Sequence, residues 1–252
     1  MSSASTGVST PASRPALRPR LAAVAAMVLP DVPALDVGTD HGLLASALVA
    51  SGRVPRAIAS DLRPVPLAGA AATIARLGLG DRVITRCADG LRAIDPGEVA
   101  TIVIAGMGGE TIAEILAAEP ARRTGARRLV LSPQDEAPRL RGWLVGRGYV
   151  LVDERLVEDR GRFYPVIAAE VGAGPELSAM ELELGPVVLA RGGPVLVRFL
   201  RRELALCDRA AAGLRRAKAG DPGRLAAIAA RRGLLAEALA KTTADGHPRA
   251  TS

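Results

Sequence analysis

The stretch Leu35-Asp-Val-Gly-Thr-Asp-His-Gly42 decides the fold of this 252-residue chain. It joins an apolar run at 34–37 to a helical pattern at 42–51, which predicts a strand, a glycine loop and a helix. A glycine loop of this kind brings backbone N–H groups to a ligand at the carboxyl edge of a parallel sheet. The stretch therefore indicates the first βα unit of an α/β domain, with a ligand site at its loop.

Beyond this unit, short apolar runs alternate with longer helical patterns. Five runs predict strands, at 34–37, 57–60, 83–85, 101–105 and 129–131. Five stretches predict helices, at 18–29, 42–51, 64–77, 110–118 and 136–147. Such alternation is typical of βαβ units, so we expect a doubly wound parallel sheet with helices on both faces.

Two more extended stretches, 149–157 and 163–169, follow without a helix between them. The charged turn Glu158-Asp-Arg-Gly-Arg162 separates them, so we expect an antiparallel pair at one edge of the sheet. Pro165 fits this pair only near an unpaired or edge position, because proline has no N–H to donate.

After residue 172 the pattern changes to two amphipathic helical runs. Apolar residues recur every three or four positions from Leu196 to Leu214, and a second run follows the break Gly220-Asp-Pro-Gly223. Two such runs joined by a short turn predict an antiparallel helical hairpin. We therefore divide the chain into a disordered tail at 1–15, an α/β domain at 16–172, a hairpin region at 173–244 and a disordered tail at 245–252.

The positive charge of the chain is concentrated in this hairpin. Residues 194–241 hold 11 Lys and Arg and four Asp and Glu, a net charge of +7 that equals the net charge of the whole chain. Such a distribution favours a polyanionic partner, whereas an ordinary solvated helix face is the alternative. We expect the contacts to include four arginines: Arg201, Arg202, Arg215 and Arg216.

Several classes of protein are disfavoured by composition. Two cysteines and two histidines, each pair far apart, predict neither a disulfide framework nor a metal site, and they fit a reducing cytoplasm. Five aromatic residues are too few for a multi-aromatic stacking platform that binds single strands. The apolar run at 21–29 is too short to span a membrane.

Carboxylates follow three successive predicted strands. Asp36 and Asp40 flank Gly38, Asp61 ends the second strand, and Asp89-Gly90 follows the third. Two carboxylates in the glycine loop would repel a pyrophosphate but attract a ligand that carries an ammonium and a sulfonium. Their regular placement favours S-adenosylmethionine over NAD, although each residue alone could be a cap or turn residue.

Short motifs also form a recognisable series over roughly residues 18–205. They are 36–42, 58–61, 81–83, 89–91, 101–109, 132–134, 140–144, Glu154, Glu158-Asp159, Tyr164 and 184–186. This series resembles the TrmK family of bacterial tRNA (adenine-N1)-methyltransferases, which act on position 22. The Ile-Ala-Gly-Met-Gly-Gly segment at 104–109 is its most specific part. One departure is Ser132-Pro-Gln134 where the family has Gln-Pro-Asn, which puts substrate identity in question.

The resemblance implies a class I methyltransferase, Rossmann-like, with S-adenosylmethionine as cofactor, tRNA as partner, and no metal or membrane. We assign cofactor binding to Asp36, Gly38, Thr39, Asp40, His41, Gly42, Asp61, Leu62, Asp89 and Gly90. We assign catalysis to Asp40, Gly106 and Met107, and substrate contacts to Gly108, Gly109, Gln134, Tyr164 and the four hairpin arginines. A structural hydrogen-bonding role for His41 is an equal alternative.

The turn at 105–109 bears on the chemistry. Enzymes that methylate an exocyclic amine commonly carry Asn/Asp-Pro-Pro-Tyr after the fourth strand, whereas this turn has no polar side chain. Its composition favours attack by a ring nitrogen, although the glycines could simply permit a tight turn. Three alternatives stay open: methylation of another RNA, methylation of a small molecule, and a non-catalytic RNA-binding protein on the same fold.

Overall fold

The computed structural model describes residues 15–118, 124–216 and 221–244. Its strands are β1 (Ala34–Val37), β2 (Ala57–Asp61), β3 (Val83–Cys87), β4 (Thr101–Ala105), β5 (Arg128–Ser132), β6 (Tyr149–Asp159) and β7 (Arg162–Val171). Its α-helices in the α/β part are α1 (Pro19–Met27), α2 (Leu43–Ala50), α3 (Pro64–Arg76), α4 (Gly109–Ala118) and α5 (Ala137–Gly146). Those that follow are α6 (Ala179–Leu184), α7 (Pro186–Arg191), α8 (Pro194–Arg216) and α9 (Pro222–Ala244). The expected tails lie outside the described residues, apart from Pro15.

All seven strands belong to one sheet with the order β3-β2-β1-β4-β5-β7-β6. The first five strands are parallel, and β7 runs antiparallel to both β5 and β6. Apolar clusters cover both faces: one contains Val24 and Leu48, the other Ile112 and Leu144. The predicted doubly wound α/β fold is confirmed, including the antiparallel pair at one edge.

Pro165 lies where the sequence predicts it. The strand β7 pairs with β5 only over residues 167–170, so Pro165 is beyond the end of β5 and faces β6 alone. The missing N–H therefore breaks no bond to β5.

The C-terminal region contains the expected hairpin and two helices that periodicity did not predict. Leu196 and Leu200 of α8 pack with Leu235 and Ala238 of α9 in a separate apolar cluster. The unpredicted helices, α6 and α7, have six residues each, too few for a hydrophobic period to be recognised.

A buried ion pair connects these short helices to the α/β domain. Arg141 of α5 donates from Nε to Oε1 of Glu154 on β6 at 2.7 Å, and their side chains are 2% and 0% exposed. Arg141 also donates to the carbonyl of Leu182 near the end of α6, at 2.9 Å. Glu154 accepts from the N–H of Val187 in the first turn of α7, at 3.1 Å. Each charge thus lies at the helix end whose dipole it complements.

Among the described helices, we find none with both the length and the apolarity needed to cross a membrane.

Candidate active site

A cleft of about 440 Å³ lies at the carboxyl ends of β1 to β4, within the size range of small-molecule sites. Six predicted site residues line it: Gly38, Asp61, Leu62, Asp89, Gly90 and Met107. Sequence reasoning missed the other lining residues: Val37, Arg63, Ala88, Thr111, Glu114, Ile115 and Ala118. Four of these come from α4, whose amphipathic pattern predicts a helix but not a ligand-facing side.

Asp61 is the most buried acid in this cleft. It ends β2, is 7% exposed, and accepts at Oδ1 from the Arg63 N–H at 2.8 Å. A carboxylate has about four acceptor positions, so Asp61 retains capacity for a ligand's hydroxyl groups. At the end of the adjacent strand, Asp89 and Gly90 begin a short 3₁₀ turn after β3. The cleft therefore places carboxylates on neighbouring strand ends.

Two of the predicted cofactor residues lie beneath the glycine loop and do not line the cleft. Thr39 donates its hydroxyl to Oδ2 of Asp36 at 2.8 Å, and both residues are buried. Burial raises the pKa of Asp36 to about 6, and the Thr39 hydrogen bond opposes that shift. The hydrogen bond between Thr39 and Asp36 therefore holds the start of the glycine loop against the end of β1.

Asp40, His41 and Gly42 lie on the side of the loop that faces α3. The His41 Nε2 and Asp40 Oδ1 atoms are 3.3 Å apart, and both side chains are largely exposed. Gly42 has φ +65°, and a Cβ there would stand 3.2 Å from the backbone of Ala70 in α3. Close approach of loop and helix therefore requires this glycine.

The turn after β4 packs tightly against the turn after β5. Gln134 donates its side-chain Nε2 to the Gly106 carbonyl at 2.7 Å and its N–H to the Met107 carbonyl at 2.9 Å. A Cβ on Gly109 would stand 2.9 Å from the Glu136 carbonyl oxygen, and one on Gly108 equally close to a carboxylate oxygen of Asp135. The glycines therefore permit contact between the two turns, whatever else they do.

Met107 extends from the same turn over the first glycine loop. A Cβ built on Gly38, whose φ is +69°, would stand 2.1 Å from Met107 Cε. The turns after β1 and β4 are thus in direct contact at one wall of the cleft.

Arg20 of α1 is a site-edge residue that sequence reasoning missed. Its guanidinium carbon lies 4.9 Å from the centroid of the Tyr164 ring, a cation–π distance. Its Nη2 stands 3.4 Å from the position of a Cβ on Gly106. Arg20 therefore links Tyr164 to Gly106, two residues that the sequence assigns to substrate binding and catalysis.

The hairpin arginines have unequal surroundings. Arg202 donates to the Gly161 carbonyl at 2.9 Å and lies 5.6 Å from the Phe163 ring centroid, while Arg201, Arg215 and Arg216 are exposed. Four other basic side chains of the hairpin form ion pairs: Arg198, Arg231, Arg232 and Lys241. Part of the positive charge is therefore neutralised locally.

Within the described ranges, no group of three or more His, Cys, Asp or Glu side chains could hold a metal ion.

Comparison with known proteins places this geometry in context. Residues 17–167 match the family model described as a methyltransferase domain. The tRNA (adenine(22)-N(1))-methyltransferase of Bacillus subtilis (strain 168) is 35% identical over 191 residues, or 73% of this chain and 80% of the relative. The crystal structure of the B. subtilis M1A22 tRNA methyltransferase TrmK matches with a TM-score of 0.80 and 31% identity, over 89% of this chain and 99% of that one. Streptococcus pneumoniae Sp1610 in complex with S-adenosyl-L-methionine matches with a TM-score of 0.79 and 31% identity, over 87% and 98%.

Proposed function

Because the chain belongs to the TrmK family of tRNA (adenine(22)-N(1))-methyltransferases, we propose that it methylates N1 of adenosine 22 in tRNA, with S-adenosylmethionine as the methyl donor. The observation that carries the proposal is the cleft at the ends of β1 to β4, where Asp61 and Asp89 line the same space as Gly38 of the glycine loop and Met107.

The residues of the cleft fit this cofactor. Asp61 suits the two ribose hydroxyls, because a carboxylate accepts two hydrogen bonds in parallel. Asp89-Gly90 suits the adenine edge, and the exposed Leu62 beside it offers an apolar surface to the ring. The backbone at Gly38 suits the amino acid part of the molecule. The cofactor supplies a methyl group already activated by a sulfonium.

The protein's part in the reaction is mainly orientation of the target base. Neutral adenine N1 carries a free lone pair, so no residue has to remove a proton before attack. The turn at 106–109 presents the Met107 thioether to the cleft, and the turn has no side chain that would hold an exocyclic amine. Gln134 is tied to the Gly106 carbonyl and holds this turn in place.

Binding of tRNA is assigned to the exposed arginines of the α8–α9 hairpin. An adenosine in folded tRNA must leave its stack to reach the cleft, which costs a few kcal/mol. Contacts between arginines and phosphates offset that cost and hold the tRNA body while the base enters. A tRNA substrate also implies a cytoplasmic enzyme.

Nucleoside analysis tests the proposal. Unmodified tRNA with adenosine at position 22 is incubated with the protein and S-adenosylmethionine, digested, and analysed by chromatography and mass spectrometry. We expect N1-methyladenosine, and we expect none from tRNA with guanosine at position 22. N6-methyladenosine as the product would contradict the interpretation of residues 105–109. Methylation of the guanosine-22 tRNA would contradict the assigned position.

A further inference from the structure

Arg20 and Tyr164 form a cation–π contact in which Arg20 has no role yet in the proposed function. Tyr164 is near the start of β7, before the segment 167–170 in which β7 pairs with β5. It therefore lies at the carboxyl edge of the sheet, on the same side as the turn at Gly106. Both Arg20 and Tyr164 are partly exposed, so a ligand can reach them.

Arg20 differs from neighbouring arginines in its partners. Arg18, two residues earlier, pairs with Asp159 at 2.5 Å, and Arg128 pairs with Glu170 at 2.6 Å. Within the part of the chain that the structure describes, Arg20 has no carboxylate within ion-pair distance. Its guanidinium lies over the Tyr164 ring, and its Nη2 stands 3.4 Å from the position of a Cβ on Gly106. Its charge is thus available to an anion.

The two side chains match the two halves of a nucleotide. An aromatic face is a stacking surface for an unstacked base, and a guanidinium binds phosphate oxygens in a bidentate manner. Gly106, which contacts Arg20, precedes Met107 of the cofactor cleft, so a base on Tyr164 lies next to that cleft. A side chain at Gly106 would narrow this space.

We propose that Arg20 and Tyr164 position the target nucleotide, with the adenine stacked on the Tyr164 ring and the guanidinium of Arg20 bound to the nucleotide's phosphate. In the protein alone the guanidinium rests on the ring, and it leaves that face to the base when RNA binds. This inference rests on the proposed tRNA substrate and adds a positioning device that comes from α1, outside the strand-end turns.

The test uses the full chain, S-adenosylmethionine and the tRNA with adenosine 22. The variants are Arg20→Ala, Arg20→Lys, Tyr164→Phe and Tyr164→Leu, with Arg82→Ala as the matched control. Arg82 is exposed and precedes β3 at the opposite edge of the sheet. Steady-state kinetics and tRNA binding at several salt concentrations are measured for each variant, together with cofactor affinity and the midpoint of thermal unfolding.

For Arg20→Ala we expect kcat/KM for tRNA to fall about 10- to 100-fold, and the slope of log affinity against log salt to flatten by about 0.7–0.9. Arg20→Lys should restore the salt slope and part of the activity, since it keeps the charge but not the planar group. Tyr164→Phe should act like the wild type, and Tyr164→Leu should lose about 10-fold or more. Cofactor affinity, thermal midpoint and the Arg82→Ala control should stay at wild-type values.

Wild-type kinetics and salt slope in Arg20→Ala would overturn the inference alone. So would a parallel loss of cofactor affinity or thermal stability, because that indicates a structural role. Failure of the wild-type protein to methylate tRNA would instead overturn the proposed function, and this inference with it.

Discussion

The side chain of Met107 lies over the backbone of Gly38, so closely that a Cβ on Gly38 would stand 2.1 Å from Met107 Cε. This contact joins the turn after β4 to the glycine loop after β1. A substitution at Gly38 would therefore change two properties, its left-handed φ of +69° and the absence of a side chain below the Met107 methyl group, which would have to move. Gly52 shares only the first of these properties: its φ is +71°, but no atom lies within 4 Å of its Cβ position.

We expect Gly38→Ala to weaken S-adenosylmethionine binding at least 10-fold, because Met107 lines the cleft and its methyl group must move to make room. Gly52→Ala should leave cofactor affinity unchanged. It should lower the unfolding free energy by about 1–2 kcal/mol, the cost of an alanine in the left-handed conformation. Calorimetry and urea unfolding measure the two effects. Equal cofactor affinity in Gly38→Ala and the wild type would show that the Met107 contact does not shape the site.

Asp61→Ala should weaken cofactor binding while the protein stays folded. Loss of hydrogen bonds to a charged group costs roughly 1.5–3 kcal/mol, or about a 10- to 100-fold loss of affinity. Asp81→Ala is the control, because Asp81 is exposed and lies before β3, at the far edge of the sheet. Titration calorimetry decides, and wild-type affinity in Asp61→Ala would remove Asp61 from the site.

Stability should depend on pH through Asp36. Because burial raises its pKa to about 6, the folded protein holds this proton more tightly than the unfolded chain does. The Asp36 contribution to the unfolding free energy therefore decreases as pH rises from about 4 to about 6. Asp36→Asn removes that titration and keeps an acceptor for the Thr39 hydroxyl. Between pH 5 and pH 7.5 the wild type should lose about 1–2 kcal/mol relative to the variant in urea unfolding. Parallel pH profiles would contradict the buried, proton-binding carboxyl group.

Charge reversal on the hairpin should weaken tRNA binding and leave cofactor affinity unchanged. Reversal of all four arginines, Arg201, Arg202, Arg215 and Arg216, tests the whole assigned tRNA-binding surface. Because Arg202 also contacts Gly161 and Phe163, reversal of the other three alone is the cleaner variant. Each lost phosphate contact should flatten the salt slope by about 0.7–0.9. The control reverses three exposed arginines of the α/β domain: Arg56, Arg76 and Arg82. If the hairpin variant keeps the wild-type slope, the tRNA is held elsewhere.

Removal of Glu154 should be severe, since it leaves Arg141 buried without its partner. We expect Glu154→Ala to cost about 3–5 kcal/mol of unfolding free energy. Asp208→Ala breaks an exposed ion pair to Arg232 and should cost about 0–1 kcal/mol. Denaturant unfolding of both variants checks the difference. Similar costs would mean that burial of the Arg141–Glu154 pair contributes little.

The strands and the carboxylates at their ends were predictable because each depends on local sequence. A parallel strand buried on both faces reads as a near-continuous apolar run, as β4 does, and β1 departs from it only at the buried Asp36. The β6–β7 pair is longer than predicted, because Glu158 and Asp159 continue the ladder. A two-residue turn, Arg160-Gly161, closes it with both φ values positive.

Contacts between distant parts of the chain were not predictable. The sequence predicts a helix at 18–29, but no residue near Arg20 indicates contact with an aromatic ring 144 positions away. The hairpin shows the same limit: its net charge follows from counting, but the pairing of Arg198 with Glu158 depends on the packing of α8 on β6.

The junction of α6 and α7 carries a consequence for the evolution of the family. A Cβ on Gly185 would stand 2.5 Å from a carboxylate oxygen of Glu154, which itself cannot change without stranding Arg141. A single replacement at any of these three positions should therefore destabilise the protein. We expect an alignment of relatives to retain or replace Arg141, Glu154 and Gly185 together, so that these three residues are inherited as one unit.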